Sequence, residues 1–159
     1  MMFLLRWPLV LILLVFVAAN LFPAAITTVV RTDMVDVSSI STTLEHLGQN
    51  ASWLEAGLWY GAAVFLLIAA IRLMRQTQAF WAWLLGFGLY GAHWAINENQ
   101  QGGALAAVQS LTLDSFKPGA LTVDSIATEV LLLLGLFVAG LLIFVVDHGD
   151  RRYWNKQAA

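Results

Sequence analysis

Cysteine is absent from this chain, and charged side chains are scarce, since Asp, Glu, Lys and Arg together make up 11% of the 159 residues. Without a thiol, the chain can form no disulfide, thiolate metal site, iron–sulfur centre or cysteine nucleophile. The formal net charge is only -2, and the longest basic run is the pair Arg151 and Arg152. Nucleic acid is therefore not an expected partner.

What the chain has in place of charge is long apolar sequence. Hydrophobic residues make up 60% of it. Its charged share of 11% is less than half of the roughly 25% found in soluble domains. A helix needs roughly 20 mostly apolar residues to cross about 30 Å of hydrocarbon. The sequence therefore predicts an all-α integral membrane protein, a single membrane domain over 1–159. Its four transmembrane helices are expected at about 7–29, 53–73, 78–97 and 126–146.

The first apolar window allows two interpretations. Pro8 suits a first helical turn, whereas Pro23 is expected to bend or end the helix. Arg6, the apolar stretch 9–17 and the small residues Ala18 and Ala19 also resemble the three regions of a secretory signal peptide. We expect an uncleaved membrane anchor, with a signal peptide as the alternative.

The order and orientation of the spans follow from the links between them. Only a short polar stretch, 75–78, joins the second span to the third, so these two helices should be antiparallel neighbours in an antiparallel four-helix bundle. Basic residues mark the cytoplasmic side of a membrane protein. Six lie on one side (Arg6, Arg72, Arg75, Arg151, Arg152 and Lys156) and two on the other (Arg31 and Lys117). Both termini should therefore be cytoplasmic in a bacterial inner membrane, with loops 31–52 and 98–125 outside.

Both outer loops carry patterns of their own. Val37, Ile40, Leu44 and Leu47 recur at helical spacing, which predicts a short helix lying on the membrane surface. In the second loop, a Leu-Thr-x-Asp-Ser pattern at 111–115 repeats at 121–125. Its alternation on either side of a Pro-Gly pair is typical of a small β-hairpin. In the other interpretation, each Asp-Ser pair caps a following helix.

Small residues recur along the predicted spans and indicate close helix packing. Gly57 and Gly61 form a GxxxG pair in the second span, Gly86 lies in the third and Gly135 in the fourth. Small side chains let membrane helices approach closely. In a chain with four spans, we expect packing within the chain rather than a dimerisation face.

His93 is the first candidate for a functional site, because it is the one titratable residue set well inside a predicted span. Asn97 follows one turn along, while Glu55 and Glu129 begin the second and fourth spans at the same expected depth. The four could form an outward-facing polar pocket that binds a divalent metal, a quinone or a lipid headgroup. Alternatively, His93 reaches toward the interface, and the carboxylates only mark helix starts.

No catalytic constellation is evident, and we expect no resident metal or cofactor. Haem would need two histidines at membrane depth, whereas His46 and His148 lie outside the predicted spans. A channel or pump is not expected, because the middle of the spans consists of Leu, Val, Ala, Gly and Phe. The leading hypothesis is a non-enzymatic subunit or assembly factor of a larger inner-membrane complex, with membrane lipids and other membrane subunits as partners. The alternative is an outer-leaflet lipid- or quinone-binding protein, enzyme or carrier, built around His93.

Overall fold

The computed structural model describes residues 2–32, 52–100, 104–117 and 126–157. Five α-helices occur there, and a 3₁₀-helix lies between the last two at Leu113–Phe116. They are α1 (Met2–Arg31), α2 (Trp53–Met74), α3 (Phe80–Gln100), α4 (Ala104–Gln109) and α5 (Ile126–Gln157). The all-helical prediction is confirmed for these residues, none of which is in a β-strand. The predicted surface helix at 37–47 lies outside them.

Three helices are long and apolar enough to cross a membrane: Leu5–Arg31, Trp53–Met74 and Ile126–Gly149. They correspond to the first, second and fourth predicted spans. The third, α3, is 21 residues long, about 31 Å at 1.5 Å per residue. It contains three glycines and the polar residues His93 and Asn97, which make it less apolar than the others.

Helix α1 continues through Pro23 and ends only at Arg31. A proline inside a helix removes one backbone hydrogen bond. Two threonines just beyond it bond back to the same turn, since Thr27 Oγ1 donates to the Pro23 carbonyl at 2.9 Å and Thr28 Oγ1 to that of Ala24 at 2.8 Å. Such hydroxyl bonds help membrane helices to accommodate proline. The prediction that the helix could end near Pro23 is therefore wrong, because the helix continues to Arg31.

The long helices pack in a consistent order: α1 lies along α2, α2 lies along α3, and α5 contacts both α1 and α3. We call the end of the helices that carries the α2–α3 link the link end and the opposite end the loop end. At the link end, Arg6 Nη1 donates to the Leu73 carbonyl. Toward the loop end, Thr28 and Tyr60 share a hydrogen bond at 3.1 Å. Helix α1 thus runs from the link end to the loop end, parallel to α3.

The apolar core is concentrated toward the link end. Its fully buried side chains come from three helices and include Leu9, Leu13, Leu66, Leu73, Leu136 and Ile143. In lipid, burial of apolar surface gives little driving force, so close van der Waals contact and hydrogen bonds between helices must hold such a core together.

The α2–α3 link ends one helix and starts the next within a few residues. Gln76 adopts a left-handed backbone with φ 58°. The Thr77 amide donates to the Arg72 carbonyl and the Gln76 amide to that of Leu73, which is the double closure of a Schellman motif. The chain therefore reverses sharply, and α2 and α3 become antiparallel neighbours, as the short link predicts.

The start of α3 is capped by a carboxylate from another helix. Asp147 Oδ2, on α5, accepts hydrogen bonds from the backbone amides of Ala79 at 2.8 Å and Phe80 at 2.9 Å. First-turn amides have no partner within their own helix, and a helix start favours negative charge. Asp147 is 8% exposed. It fixes α5 against α3 at the link end.

The glycines fall into two groups according to what an added Cβ would meet. At Gly61 it would contact Leu89 at 2.9 Å, and at Gly86 it would contact Leu66 at 2.8 Å, so both lie where α2 and α3 approach closely. At Gly57 and Gly135 it would meet nothing within 4 Å. A further glycine, Gly140 on α5, lies directly against the Trp83 ring.

In the second outer loop, the structure corrects the hairpin prediction. Residues Leu113–Phe116, the centre of its first arm, form a 3₁₀-helix. Asp114 lies inside that helix and pairs with Lys117 at 2.7 Å. The i to i+3 bonds of Ser115 to Thr112 and Lys117 to Asp114 satisfy the local backbone and replace strand pairing. The second arm lies outside the described residues.

Candidate functional site

Glu55, a predicted site residue, has a structural task at the start of α2. Its backbone amide donates to Ser52 Oγ at 3.2 Å, and its carboxylate accepts from the Ser52 amide. This reciprocal pair is a capping box, which satisfies two amides at a helix start. Glu55 is 6% exposed. The arrangement corresponds to the interpretation in which this carboxylate marks a helix start.

His93 packs across the α2–α3 interface against Trp59. The two ring centroids lie 4.5 Å apart with the planes tilted by 40°, and the imidazole is half-buried. The Glu55 carboxylate is close enough for its charge to act on His93. The structure therefore brings Glu55 and His93 together at the loop end, with Trp59 beside them.

The other two predicted residues extend this region along α3 and onto α5. Asn97 follows His93 by one turn and is half-buried. Glu129 lies in the first turn of α5, and its charge acts on Tyr90, three residues before His93 on α3. Glu129 is thus near the part of α3 that carries Tyr90. In the described part of the chain, no three His, Asp or Glu side chains are grouped closely enough to hold a metal ion.

Sequence reasoning missed Asn20, which lies inside the first span. Its side chain is 1% exposed, and its Nδ2 donates to the Phe16 carbonyl at 2.7 Å. Its Oδ1 is buried and accepts no hydrogen bond from the described residues. The expectation that only Leu, Val, Ala, Gly and Phe occupy the middle of the spans is therefore wrong. A search for amides as well as charges in the apolar windows would have found this residue.

A second buried polar atom without a hydrogen-bond partner among the described residues is Trp94 Nε1. Its depth along the helices can be compared with that of Asn20, because Phe16 on α1 contacts Tyr90 on α3, with ring centroids 5.9 Å apart. Asn20 and Trp94 each lie four residues farther along two parallel helices, about 6 Å toward the loop end. They therefore share one depth. We call Asn20, Tyr90, His93 and Trp94 the polar layer.

The polar layer carries both hydrogen-bond donors and acceptors. Trp94 provides an N–H donor and Asn20 a carbonyl acceptor, while Tyr90 and His93 can do either. Glu55 and Glu129 add negative charge at its loop-end rim.

A separate cavity of about 120 Å³ lies at the link end, lined by Arg6, Trp7, Val10, Leu73, Met74 and Gln76. This volume is smaller than the roughly 300–1,000 Å³ of ordinary ligand pockets. The polar layer therefore remains the better candidate for a ligand.

Comparison with protein-family models, with curated proteins and with solved structures finds no match to this chain.

Proposed function

We propose that this chain is a non-enzymatic subunit or assembly factor of a larger bacterial inner-membrane complex. The observation that carries the proposal is a wide exposed face of α5. A stripe at helical spacing runs along it and consists of Leu131, Gly135, Val138 and Leu142, all exposed.

Contact with lipid explains the exposed apolar side chains of this face, but it gives no reason for a glycine at position 135. Glycine inside a helix costs about 1 kcal/mol relative to alanine. Gly61, Gly86 and Gly140 offset that cost through close contacts within the chain, whereas an added Cβ at Gly135 would meet nothing within 4 Å. A notch between larger apolar side chains is where a helix of another subunit can approach closely.

Replacing Gly135 with isoleucine should therefore release the partner subunit without unfolding the chain. We expect Gly135→Ile to move the chain from a larger species to its own mass on a native gel in mild detergent. The matched control, Ala25→Ile, adds the same kind of bulk at an exposed position of α1 and should leave the larger species intact. A homogeneous particle of the wild-type chain alone, active on a substrate, would contradict the proposal.

We also propose that α3 is the fourth span and that both termini are cytoplasmic. Two exposed arginines lie at the link end of the helices, Arg72 in the last turn of α2 and Arg75 in the link that follows, and basic residues mark the cytoplasmic side of a membrane protein. The absence of cysteine makes a direct test simple. Gln76→Cys and Lys117→Cys introduce single thiols at exposed positions. An impermeant maleimide applied to intact spheroplasts should label the second and not the first, and equal labelling would overturn this topology.

Binding of a membrane lipid or quinone at the loop end is the second candidate function. It is favoured by the convergence of Glu55, Trp59 and His93 and by two buried polar atoms, on Asn20 and Trp94, that have no hydrogen-bond partner among the described residues. A ligand that enters from the membrane could supply both missing partners.

A further inference from the structure

The side-chain oxygen of Asn20 is buried and has no hydrogen-bond donor among the described residues. A buried acceptor without a hydrogen bond destabilises the folded chain, and hydrocarbon surroundings offer no water to replace the missing donor. Asn20 is 1% exposed, and its Oδ1 accepts nothing from the described residues. Thr27, on the same buried face of α1, shows the ordinary solution, because its hydroxyl bonds to the Pro23 carbonyl.

We propose that the polar layer binds the head group of a neutral membrane quinol. The Oδ1 atom of Asn20 accepts a hydrogen bond from one ring hydroxyl, and Trp94 Nε1 donates one to a ring oxygen. This inference deepens the second candidate function and rests on it, whereas it is independent of the subunit proposal.

Depth and charge select a neutral head group over a phospholipid head group. Asn20 lies 11 residues before the loop-end terminus of α1, which is about 16 Å along the helix. A charged group at that depth is costly. Glu55 and Glu129 at the rim act electrostatically on His93 and Tyr90, and they would repel a phosphate on its way in. A hydroxylated aromatic ring carries no charge and presents both donors and acceptors.

The aromatic residues around the polar layer suit a flat ring. Tyr90 meets Phe16 edge to face, so this pair closes the polar layer on the side of the apolar core. Farther toward the loop end, Trp59 and His93 present a second pair of rings. Aromatic rings favour offset-stacked or edge-to-face neighbours, so aromatic residues within one turn of Asn20 and Trp94 suit a quinol ring.

The test is calorimetric titration of the purified full chain in detergent with ubiquinol-1, using two variants and a matched control. We expect saturable binding by the wild type. Loss of one hydrogen bond should weaken it about 3- to 10-fold in Asn20→Leu and similarly in Trp94→Phe. Thr27→Val also removes a buried polar group from α1, but one that is already bonded within the helix, and it should bind as the wild type does.

A thermal melt separates a binding defect from a folding defect. Asn20→Leu should melt no lower than the wild type, because it removes a buried acceptor with no partner among the described residues, and ubiquinol-1 should raise the melting temperature of the wild type more than that of the variant. The proposal fails if the wild type does not bind ubiquinol-1, or if Thr27→Val weakens binding as much as Asn20→Leu. If a phospholipid co-purifies instead and is lost in His93→Ala, the quinol assignment fails while the second candidate function stands.

Discussion

Replacing Gly140 with alanine should force α3 and α5 apart. An added Cβ at this position would lie closer than 3.0 Å to three atoms of the Trp83 ring, an approach that real Cβ atoms essentially never show. The ring cannot move aside easily, because Trp83 is 3% exposed, stacks on Phe87 at 5.2 Å and donates through Nε1 to the Leu136 carbonyl at 3.1 Å. We expect a loss of about 2 kcal/mol or more, as overpacking of a core causes, measured as a lower thermal unfolding temperature in detergent.

Two controls make this result specific to the contact. Gly135→Ala adds the same methyl group to the same helix where nothing lies within 4 Å, and it should be neutral or slightly stabilising because alanine is the better helix former. In a Trp83→Leu background, Gly140→Ala should cost much less, since the atoms that clash are gone. Equal costs in both backgrounds would show that Gly140 matters for a reason other than Trp83.

Replacing Asp147 with alanine should loosen the start of α3 and its attachment to α5 together. The substitution removes the acceptor for two backbone amides, at Ala79 and Phe80. Hydrogen bonds to a charged group are worth about 1.5–3 kcal/mol. Because Ala79 is fully buried, water cannot readily take over at its amide. We expect a loss of about 3 kcal/mol for the variant, measured by thermal unfolding.

A local measurement identifies the origin of that loss. Hydrogen exchange at the Ala79 and Phe80 amides should accelerate in Asp147→Ala much more than exchange in the middle of α2. In Asp147→Asn the exchange rates at these two amides should lie between those of Asp147→Ala and the wild type, because the asparagine side-chain oxygen still accepts hydrogen bonds. Asp114→Ala is the matched control, since that carboxylate pairs with Lys117 at an exposed position, and exposed pairs contribute little. Unchanged exchange at Ala79 and Phe80 would contradict the capping role.

The helices of this fold follow from local pattern, and for that reason most of them could be predicted. An apolar window of about 20 residues can satisfy its backbone in lipid only as a helix or a closed barrel, so the starts of α2 at Trp53 and of α5 at Ile126 follow from the sequence. Helix α5 continues beyond the expected end at 146 to Gln157. Pro23 was harder, because a proline inside a membrane helix can bend the helix, end it or be accommodated within it. The repeat at 111–115 was interpreted from side-chain alternation, whereas i to i+3 backbone bonds formed instead.

The candidate site was predicted less completely, because pattern shows position along a helix but not what faces a residue. Depth alone placed His93 near Glu55, and the structure adds Trp59 as its ring partner. Asn20 was not predicted as a site residue, because its amide carries no charge and does not interrupt the charge-free window of the first span. The contact of Trp83 with Gly140 depends on how α3 and α5 cross, and no spacing within either helix encodes that crossing.

The cap that Asp147 provides to α3 has a consequence for the order in which the chain assembles during synthesis. The carboxylate follows Ala79 by 68 residues, so the ribosome must reach α5 before the first amides of α3 find this partner. Until then those amides need another acceptor, such as water. The least apolar of the long helices is therefore secured by a helix that is made after it.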